Sequence, residues 1–135
     1  MKRTGSIAAL SIAALLLAGS IALAEDMQEL AKLPPPVRAA VQTKFMTEKL
    51  NLTPEQKPQV EKINLEFAEK MQPVLDGSAG GMFARMSEGK KLDAAKDAEL
   101  QKVLNPQQYQ GYIDGKDAMK EKMFAKLKEK AAGGQ

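Results

Sequence analysis

Two segments of this chain carry the same signal for the start of a helix. They are Leu52–Gln56, with the sequence LTPEQ, and Leu104–Gln108, with the sequence LNPQQ. In each, the cap side chain of Thr53 or Asn105 can accept from the N–H of the glutamine three residues later, and that glutamine can bond back to the N–H of the cap. Proline at the first helical position costs nothing, because an N–H there would have no helical partner. The repeat therefore predicts two equivalent helix starts in a duplicated helical unit.

Apolar residues follow each start with the spacing of a helix that packs along another helix. The first series predicts a helix from Pro54 to about Val74, and Pro58 is expected to distort its first turn because proline has no N–H to donate. The second series predicts a helix from Pro106 to about Lys130. The two series are Val60, Ile63, Phe67, Met71 and Val74, and Tyr109, Tyr112, Ile113, Met119, Met123 and Leu127.

Two further helices and two breaks complete the expected fold. Pro36 suits the first position of a helix over Val37–Lys49, and Leu92–Val103 also has helical spacing. Asp76–Gly81 is a glycine-rich turn, and Gly89 is expected to interrupt the ambiguous stretch around it. No alternating run of β-branched residues indicates a strand. The prediction is a small, elongated, all-α helical-hairpin domain of about four helices.

The first 24 residues have the organisation of a secretory signal peptide. Lys2 and Arg3 supply the positive start, Ile7–Leu17 the apolar run and Ala22–Ala24 a small-residue cleavage site. The apolar run is shorter than the ~20 residues that span a bilayer, which argues against a stable membrane anchor. Cleavage after Ala24 would leave 135 − 24 = 111 residues, with no cysteine for lipid attachment or disulfides.

Charge and composition exclude several classes of function. The formal net charge of +3 falls to +1 once Lys2 and Arg3 are removed, because 18 basic residues then face 17 acidic ones. A nearly neutral exported chain is not expected to bind nucleic acid. Histidine and cysteine are absent, which removes the commonest metal ligands and acid–base groups. Ser78 and Ser87 lie near glycines with no obvious base nearby in sequence, so we expect no enzyme, no catalytic residues and no cofactor.

Methionine leaves one metal hypothesis open. Met82 and Met86, and likewise Met119 and Met123, are spaced to place two thioethers on one helix face. Thioethers are ligands for Cu(I) and Ag(I). The simpler interpretation is that methionine fills gaps in a core poor in aromatic residues, or supplies an adaptable binding surface. We favour the simpler interpretation and predict no metal site.

The paired motifs resemble those of the Spy/CpxP-like periplasmic family, which is defined by two Leu-Thr-x-x-Gln motifs in a small all-helical domain. The first copy matches at Leu52, Thr53 and Gln56, whereas the second has Asn105 in place of threonine. The resemblance covers residues 37–125. It implies hairpins that dimerise into a curved cradle, and an ATP-independent periplasmic chaperone that holds unfolded or misfolded proteins on its concave side.

On this basis the chain divides into a signal peptide (1–24), a proline-rich leader (25–36), a helical domain (37–130) and a disordered tail (131–135). The first functional hypothesis is a chaperone or envelope-stress accessory protein that works without nucleotide, since no Gly-Lys-Ser/Thr follows the central glycines. The alternative is a signalling modulator that binds the periplasmic domain of a sensor kinase. Soft-metal binding is the less favoured third hypothesis.

Two structural expectations accompany the chaperone hypothesis. A thin monomer would leave the stripe of Phe67, Met71, Met119 and Met123 exposed, which predicts a homodimer. Client contact is expected from apolar residues of the first helix and the central segment rather than from the stripes of the capped helices. These candidates are Phe45, Met46, Met82, Phe83 and Met86.

Overall fold

The computed structural model describes residues 24–133, which form six helices joined by short turns and contain no strand. The helices are α1 (residues 24–31), α2 (Pro35–Leu50), α3 (Gln56–Asp76), α4 (Met82–Val103), α5 (Pro106–Asp114) and α6 (Lys116–Gly133). The all-α fold class is confirmed, but six helices replace the predicted four. The predicted signal peptide lies outside the described residues, apart from Ala24.

The proline-rich leader is part of the packed structure. Its helix, α1, places Met27 in a buried cluster, and Leu33 just after it is fully buried. Pro34 has φ −57° and ψ 149°, an extended conformation that lets the chain turn into α2. The side chain of Gln72 in α3 donates to the carbonyl of Ala31 at 3.3 Å. The packed helical domain therefore includes the leader, which the sequence had placed outside it.

The fourth helix, α4, is continuous, although the sequence predicted an interruption at Gly89. Glycine within a helix costs roughly 1 kcal/mol relative to alanine. Contacts with α3 hold α4 on both sides of this position: Arg85 bonds to the carbonyl of Val74, and Leu100 is buried in the core. A β-carbon on Gly89 would lie 3.4 Å from Cγ1 of Val74, so the two helices are in close contact there.

The predicted helix Pro106–Lys130 is instead two helices that meet at Gly115. The N–H of Gly115 donates to the carbonyl of Gly111 at 3.0 Å, and the N–H of Met119 donates to the carbonyl of Gly115 at 3.0 Å. A β-carbon on Gly115 would be 3.1 Å from the ring of Phe45. The absence of a side chain therefore lets the chain pass close to α2, and α6 then packs against α2.

Apolar side chains form two core clusters, one around each half of α3. The first cluster joins α2, α3, α4, α5 and α6, and the second joins α1, α3 and α4. The first contains Phe45, Met46, Val60, Leu100, Leu104, Tyr112 and Met119. The second contains Met27, Val74 and Leu75, with Leu30, Met71, Met82 and Leu92 packed against it.

The stripe that suggested a homodimer is covered within one chain. Phe67, Met119 and Met123 are buried, and Met71 packs against the second cluster. The premise that a monomer would expose these residues was wrong, because α3 packs against α2 and α4, and α5 and α6 fold back onto α2. The stripe is therefore no reason to expect a dimer.

The end of the chain also differs from its expectation. Residues 131–133 belong to α6 rather than to a disordered tail, and the last two residues lie outside the described part. Within residues 24–133, no helix is both long enough and apolar enough to cross a membrane.

Two of the five candidate client-binding residues are core residues. Phe45 is 8% exposed and Met46 is 1% exposed, and both belong to the first cluster. Sequence periodicity could not separate them from exposed residues, because α2 contacts neighbours on more than one side. The expectation that both are exposed surface residues is therefore wrong for the folded domain.

Met46 and Met86 provide a direct test of which methionines belong to the core. Replacing Met46 with alanine should lower the free energy of unfolding by roughly 2–5 kcal/mol, because it opens a cavity in the first cluster. Met86 is 41% exposed, and Met86→Ala should change stability by no more than about 0.5 kcal/mol. Urea denaturation followed by circular dichroism measures both. Equal losses in the two variants would contradict this assignment of the core.

Candidate functional site

The second sequence motif forms a complete capping box at the start of α5. Oδ1 of Asn105 accepts from the N–H of Gln108 at 2.8 Å, and Oε1 of Gln108 accepts from the N–H of Asn105 at 3.0 Å. Asn105 itself is extended, with φ −72° and ψ 166°, as an N-cap residue should be. The bonds that the sequence predicted at this position are present.

The first motif makes the same pair of bonds over a looser first turn. Oγ1 of Thr53 accepts from the N–H of Gln56 at 3.2 Å, and Oε1 of Gln56 accepts from the N–H of Thr53 at 3.0 Å. The regular helix begins only at Gln56, since residues 54–55 form a turn. Pro58 has no N–H to donate to the carbonyl of Pro54, which explains the distorted start that the sequence predicted.

The side chains of Gln56 and Gln108 also bond to each other, and we call this pair the glutamine clamp. Nε2 of Gln56 donates to Oε1 of Gln108 at 2.8 Å, and Nε2 of Gln108 donates to Oε1 of Gln56 at 3.0 Å. Each amide also donates to a carbonyl at the end of another helix. Gln56 donates to Val103 at 3.0 Å, and Gln108 donates to Leu50 at 3.2 Å.

The glutamine clamp uses the full bonding capacity of both amides. Each Oε1 accepts two hydrogen bonds and each Nε2 donates two. The acceptors at Leu50 and Val103 lie at helix C-termini, where carbonyls lack partners within the helix. The clamp therefore joins the ends of α2, α3, α4 and α5 at one point. Since no amide group is left over, this arrangement is structural and offers little to a ligand.

Leucines of the two motifs pack beneath the clamp. Leu104 is buried in the first cluster, and Leu52 is half-buried against it. Each leucine directly precedes its cap residue, which fixes the angle at which the chain enters the next helix. The six motif residues thus work together as a junction of helices.

Two buried arginines bond to backbone carbonyls, and no sequence motif had indicated either of them. Arg38 donates to the carbonyls of Leu30 and Leu33 near the end of α1, and to that of Ala68 at 2.9 Å. Burial lowers the pKa of Arg38. Arg85 donates to the carbonyls of Val74 at 2.6 Å and Leu75 at 2.7 Å, at the end of α3. A guanidinium can donate to the carbonyls at a helix C-terminus, and its positive charge is stabilised by the negative end of the helix dipole.

Lys96 is a third buried cation, 9% exposed, on the face of α4 toward α2. Its Nζ donates to Oε1 of Gln42 in α2 at 2.5 Å. Burial lowers its pKa to about 8, although the negative charges of Asp93 and Asp97 act in the opposite direction. The amine is therefore near its titration point at a mildly alkaline pH.

A polar network on α4, α5 and α6 lies beside Lys96. Lys116 contacts Asp97 at 2.8 Å and Asp93 at 3.0 Å, and the hydroxyl of Tyr112 donates to Asp97 at 2.9 Å. Burial and the bond to Asp97 raise the pKa of Tyr112. Burial lowers the pKa of Lys116, but its contacts with Asp97 and Asp93 outweigh that effect, so the pKa is raised overall. These groups are matched to each other, which is typical of a structural network.

The other three candidate client-binding residues lie at the start of α4. Met82 is half-buried against the second cluster, whereas Phe83 is 91% exposed and Met86 is 41% exposed. Phe83 and Met86 are three residues apart and so share one helix face. We call these two residues the α4 apolar patch. It follows a turn in which Gly77 and Gly80 have φ values of 90° and 126°, which favour glycine.

Comparison with protein families finds a match that covers most of the described residues. A family model described as a domain of unknown function (DUF4890) matches residues 24–112, which is 89 of the 135 residues. The chain belongs to the DUF4890 family. No curated protein and no solved structure matches the chain.

The DUF4890 match has informative limits. It begins with α1, so it includes the leader that packs against α3, and it contains both motifs of the glutamine clamp. It ends at Tyr112 within α5, so α6 lies beyond the matched residues. The junction of helices is thus part of the DUF4890 domain.

The two methionine pairs have different surroundings. Met119 and Met123 are buried, and Sδ of Met123 accepts from Nε2 of Gln42 at 3.9 Å. This pair fills the interior of the domain. Met82 contributes to the second cluster, while Met86 belongs to the α4 apolar patch. Among the described residues, no group of three or more acidic side chains is placed to hold a metal ion.

Removing either side of the glutamine clamp should destabilise the domain. Gln56→Ala and Gln108→Ala should each lower the free energy of unfolding by roughly 1–3 kcal/mol, because each leaves polar groups at helix ends unpaired. Gln107 is exposed beside the clamp, and Gln107→Ala should cost less than about 0.5 kcal/mol. The double variant should lose less than the sum of the single losses, because both substitutions break one network. Urea denaturation of the single and double variants measures these losses. A loss in the double variant equal to the sum of the single losses would show that the two glutamines are not coupled.

Lys96 should make the domain more stable as pH rises above 8. Its folded pKa of about 8 lies below its ordinary value of 10.5, so between these values the unfolded chain holds a proton that the folded chain has released. The free energy of unfolding should rise by about 2 kcal/mol between pH 7 and 9.5. Above pH 10 the raised pKa values of Tyr112 and Lys116 act in the opposite direction.

Lysine-to-methionine variants on α4 isolate this effect. Lys96→Met should flatten the rise in stability between pH 7 and 9.5. Lys102 is also on α4, with a side chain that is 70% exposed, and Lys102→Met should retain the wild-type slope. Thermal or urea unfolding measured across this pH range makes the comparison. If the free energy of unfolding of Lys96→Met rose with pH as in the wild type, other groups would be responsible for the pH dependence.

Proposed function

We propose that this protein is an ATP-independent chaperone that binds unfolded proteins, with the α4 apolar patch as a site of client contact. One observation carries the proposal. Large apolar side chains are exposed at only three positions of residues 24–133, and two of them, Phe83 and Met86, lie together within the first two turns of α4. Because Phe83 and Met86 are neighbours on one helix face, their exposed surfaces are available together for contact with another molecule.

The size and surroundings of the patch suit weak binding to many clients. Burial of one phenylalanine contributes about 2–3 kcal/mol, which by itself gives an affinity weaker than millimolar. Ser87, Glu88, Lys90 and Lys91 are exposed near the patch on the same helix. Flexible methionine and charged side chains can adapt to differing partners. Brief contacts of this kind can keep unfolded chains apart without holding them permanently.

Features of the sequence support the same proposal. The paired motifs resemble those of the Spy/CpxP-like family, and the N-terminal residues have the pattern of a secretory signal. We propose that the protein acts in the periplasm, where nucleotide is not available to drive a chaperone cycle. The proposal does not depend on a dimer, because a single chain carries the exposed patch.

An aggregation assay tests this function and the role of the α4 apolar patch. Sub-stoichiometric wild-type protein should slow the aggregation of several unrelated unfolded proteins without nucleotide, as followed by light scattering. Phe83→Ser combined with Met86→Ser should reduce this protection at least fivefold, since it removes the exposed apolar contact. Circular dichroism should be unchanged, because neither side chain supports the core.

Leu65 provides the matched control for these substitutions. It is 37% exposed on α3, and Leu65→Ser should leave protection within twofold of the wild type. Equal protection by the double serine variant would overturn the assignment of the patch. A wild-type protein that protects no client would overturn the chaperone proposal and favour a signalling modulator with one specific partner.

A further inference from the structure

A second candidate surface is the groove between α2 and α6. It has a volume of about 610 Å³ and extends along α2 from Pro36 to Glu48. With a rise of 1.5 Å per residue, this span is about 18 Å long. An extended peptide rises about 3.3 Å per residue, so the groove has the length of five or six residues of an unfolded chain.

The floor of this groove is apolar. Val37 and Val41 of α2 line it and are half-buried, and Ala125 lines it from α6 and is exposed. These small side chains leave space between the two helices that α6 itself does not fill. A segment with apolar side chains on one face would remove this surface from water.

The rim of the groove carries more positive than negative charge. Lys44, Lys122 and Lys126 line it together with Glu48 and Glu129. Lys126 and Glu129 pair with each other, with 3.6 Å between Nζ of Lys126 and Oε1 of Glu129, which leaves Lys44 and Lys122 against Glu48. Lys44 and Lys122 form no ion pair with another described residue. The α6 helix as a whole has six lysines and three acidic residues, which adds to the positive potential along this side.

We propose that the α2–α6 groove binds an extended segment of an unfolded protein in which apolar side chains alternate with acidic ones. Apolar side chains would face the floor, and the long side chains of Lys44 and Lys122 would reach from the rim to the carboxylates on the opposite face of the segment. This inference rests on the proposed chaperone function and adds to it a preference among clients. A concave recess of this length fits a single chain better than it fits the flat surface of a membrane.

Two labelled peptides of ten residues test the preference. Both carry leucine or valine at alternate positions, with glutamate between them in the acidic probe and lysine in the basic probe. In fluorescence anisotropy at low salt, the acidic probe should bind at least tenfold more tightly than the basic probe. Added salt should narrow this difference, because exposed charges are screened. Equal binding of the two probes would overturn the proposal.

Charge-reversal variants on α6 locate the binding site. Lys122→Glu combined with Lys126→Glu should weaken binding of the acidic probe at least tenfold. Lys128→Glu combined with Lys130→Glu makes the same change in net charge on the same helix but outside the groove, and should change affinity less than twofold. If both double variants lost the same affinity for the acidic probe, the effect would be one of net charge, and the groove would not be the binding site.

A variant that fills the groove tests its apolar floor. Ala125→Trp places a large side chain in the recess at an exposed helical position, so circular dichroism should stay unchanged while binding of the acidic probe falls at least fivefold. Amide chemical shifts in the wild type should move on α2 and α6 when the probe is added. Shifts confined to α4, or binding to vesicles with anionic headgroups in place of the probe, would overturn the proposal.

The aggregation assay separates the failure of this inference from failure of the proposed function. If wild-type protein protects clients but the groove variants protect them equally, the groove inference is wrong and the chaperone function stands. If the acidic probe binds the groove but no client is protected, the groove is a peptide-binding site and the chaperone function is wrong.

Discussion

The arrangement of the helices depends on the reciprocal pairing of the Gln56 and Gln108 side chains. Each glutamine first completes the cap of its own helix and then bonds to the other glutamine and to a terminal carbonyl beyond it. Four helix ends meet there, and each has unpaired backbone groups that need a partner. Two amide side chains satisfy several of these needs at once. The repeated motif is therefore better understood as two halves of one junction than as two independent helix caps.

Two buried arginines satisfy carbonyls near the ends of α1 and α3 in a related way. Arg38 and Arg85 bond to carbonyls rather than to carboxylates, so the partial negative charge of helix C-termini replaces an acidic partner. Lys96 bonds to a neutral amide and has a lowered pKa as a result of its burial. Polar groups in the middle of the domain thus fix how α1, α3 and α4 are placed, while the apolar clusters supply most of the driving force.

Hydrogen bonds between residues close in sequence could be predicted, but contacts between residues far apart in sequence could not. The capping bonds of Thr53 and Asn105 involve residues three positions apart, and both are present. The contact between Gln56 and Gln108 joins residues 52 apart, and no local rule predicts it. The same limit explains the errors at Gly89, where contact with α3 outweighs a poor helix former.

The apolar residues proposed for client binding show the same limit of prediction from sequence. Met46 and Met86 have similar surroundings in sequence, yet the first is in the core and the second is exposed. Phe83 is exposed just after the glycine turn that precedes α4, and the α2–α6 groove is lined by α6, which begins after the break at Gly115. Residue type identified the apolar candidates, and only the packing of the helices separated them into core and surface.

The separation of the two clamp residues along the chain also affects how the domain folds. Each capping box closes a loop of only three residues, so it can form on the timescale of a single helix. The pairing of Gln56 with Gln108 closes a loop of 52 residues, and the entropy of that closure must be offset by helices that are already packed. We therefore expect the pairing of Gln56 with Gln108 to be one of the last contacts to form, after each half of the chain has organised around its own cap.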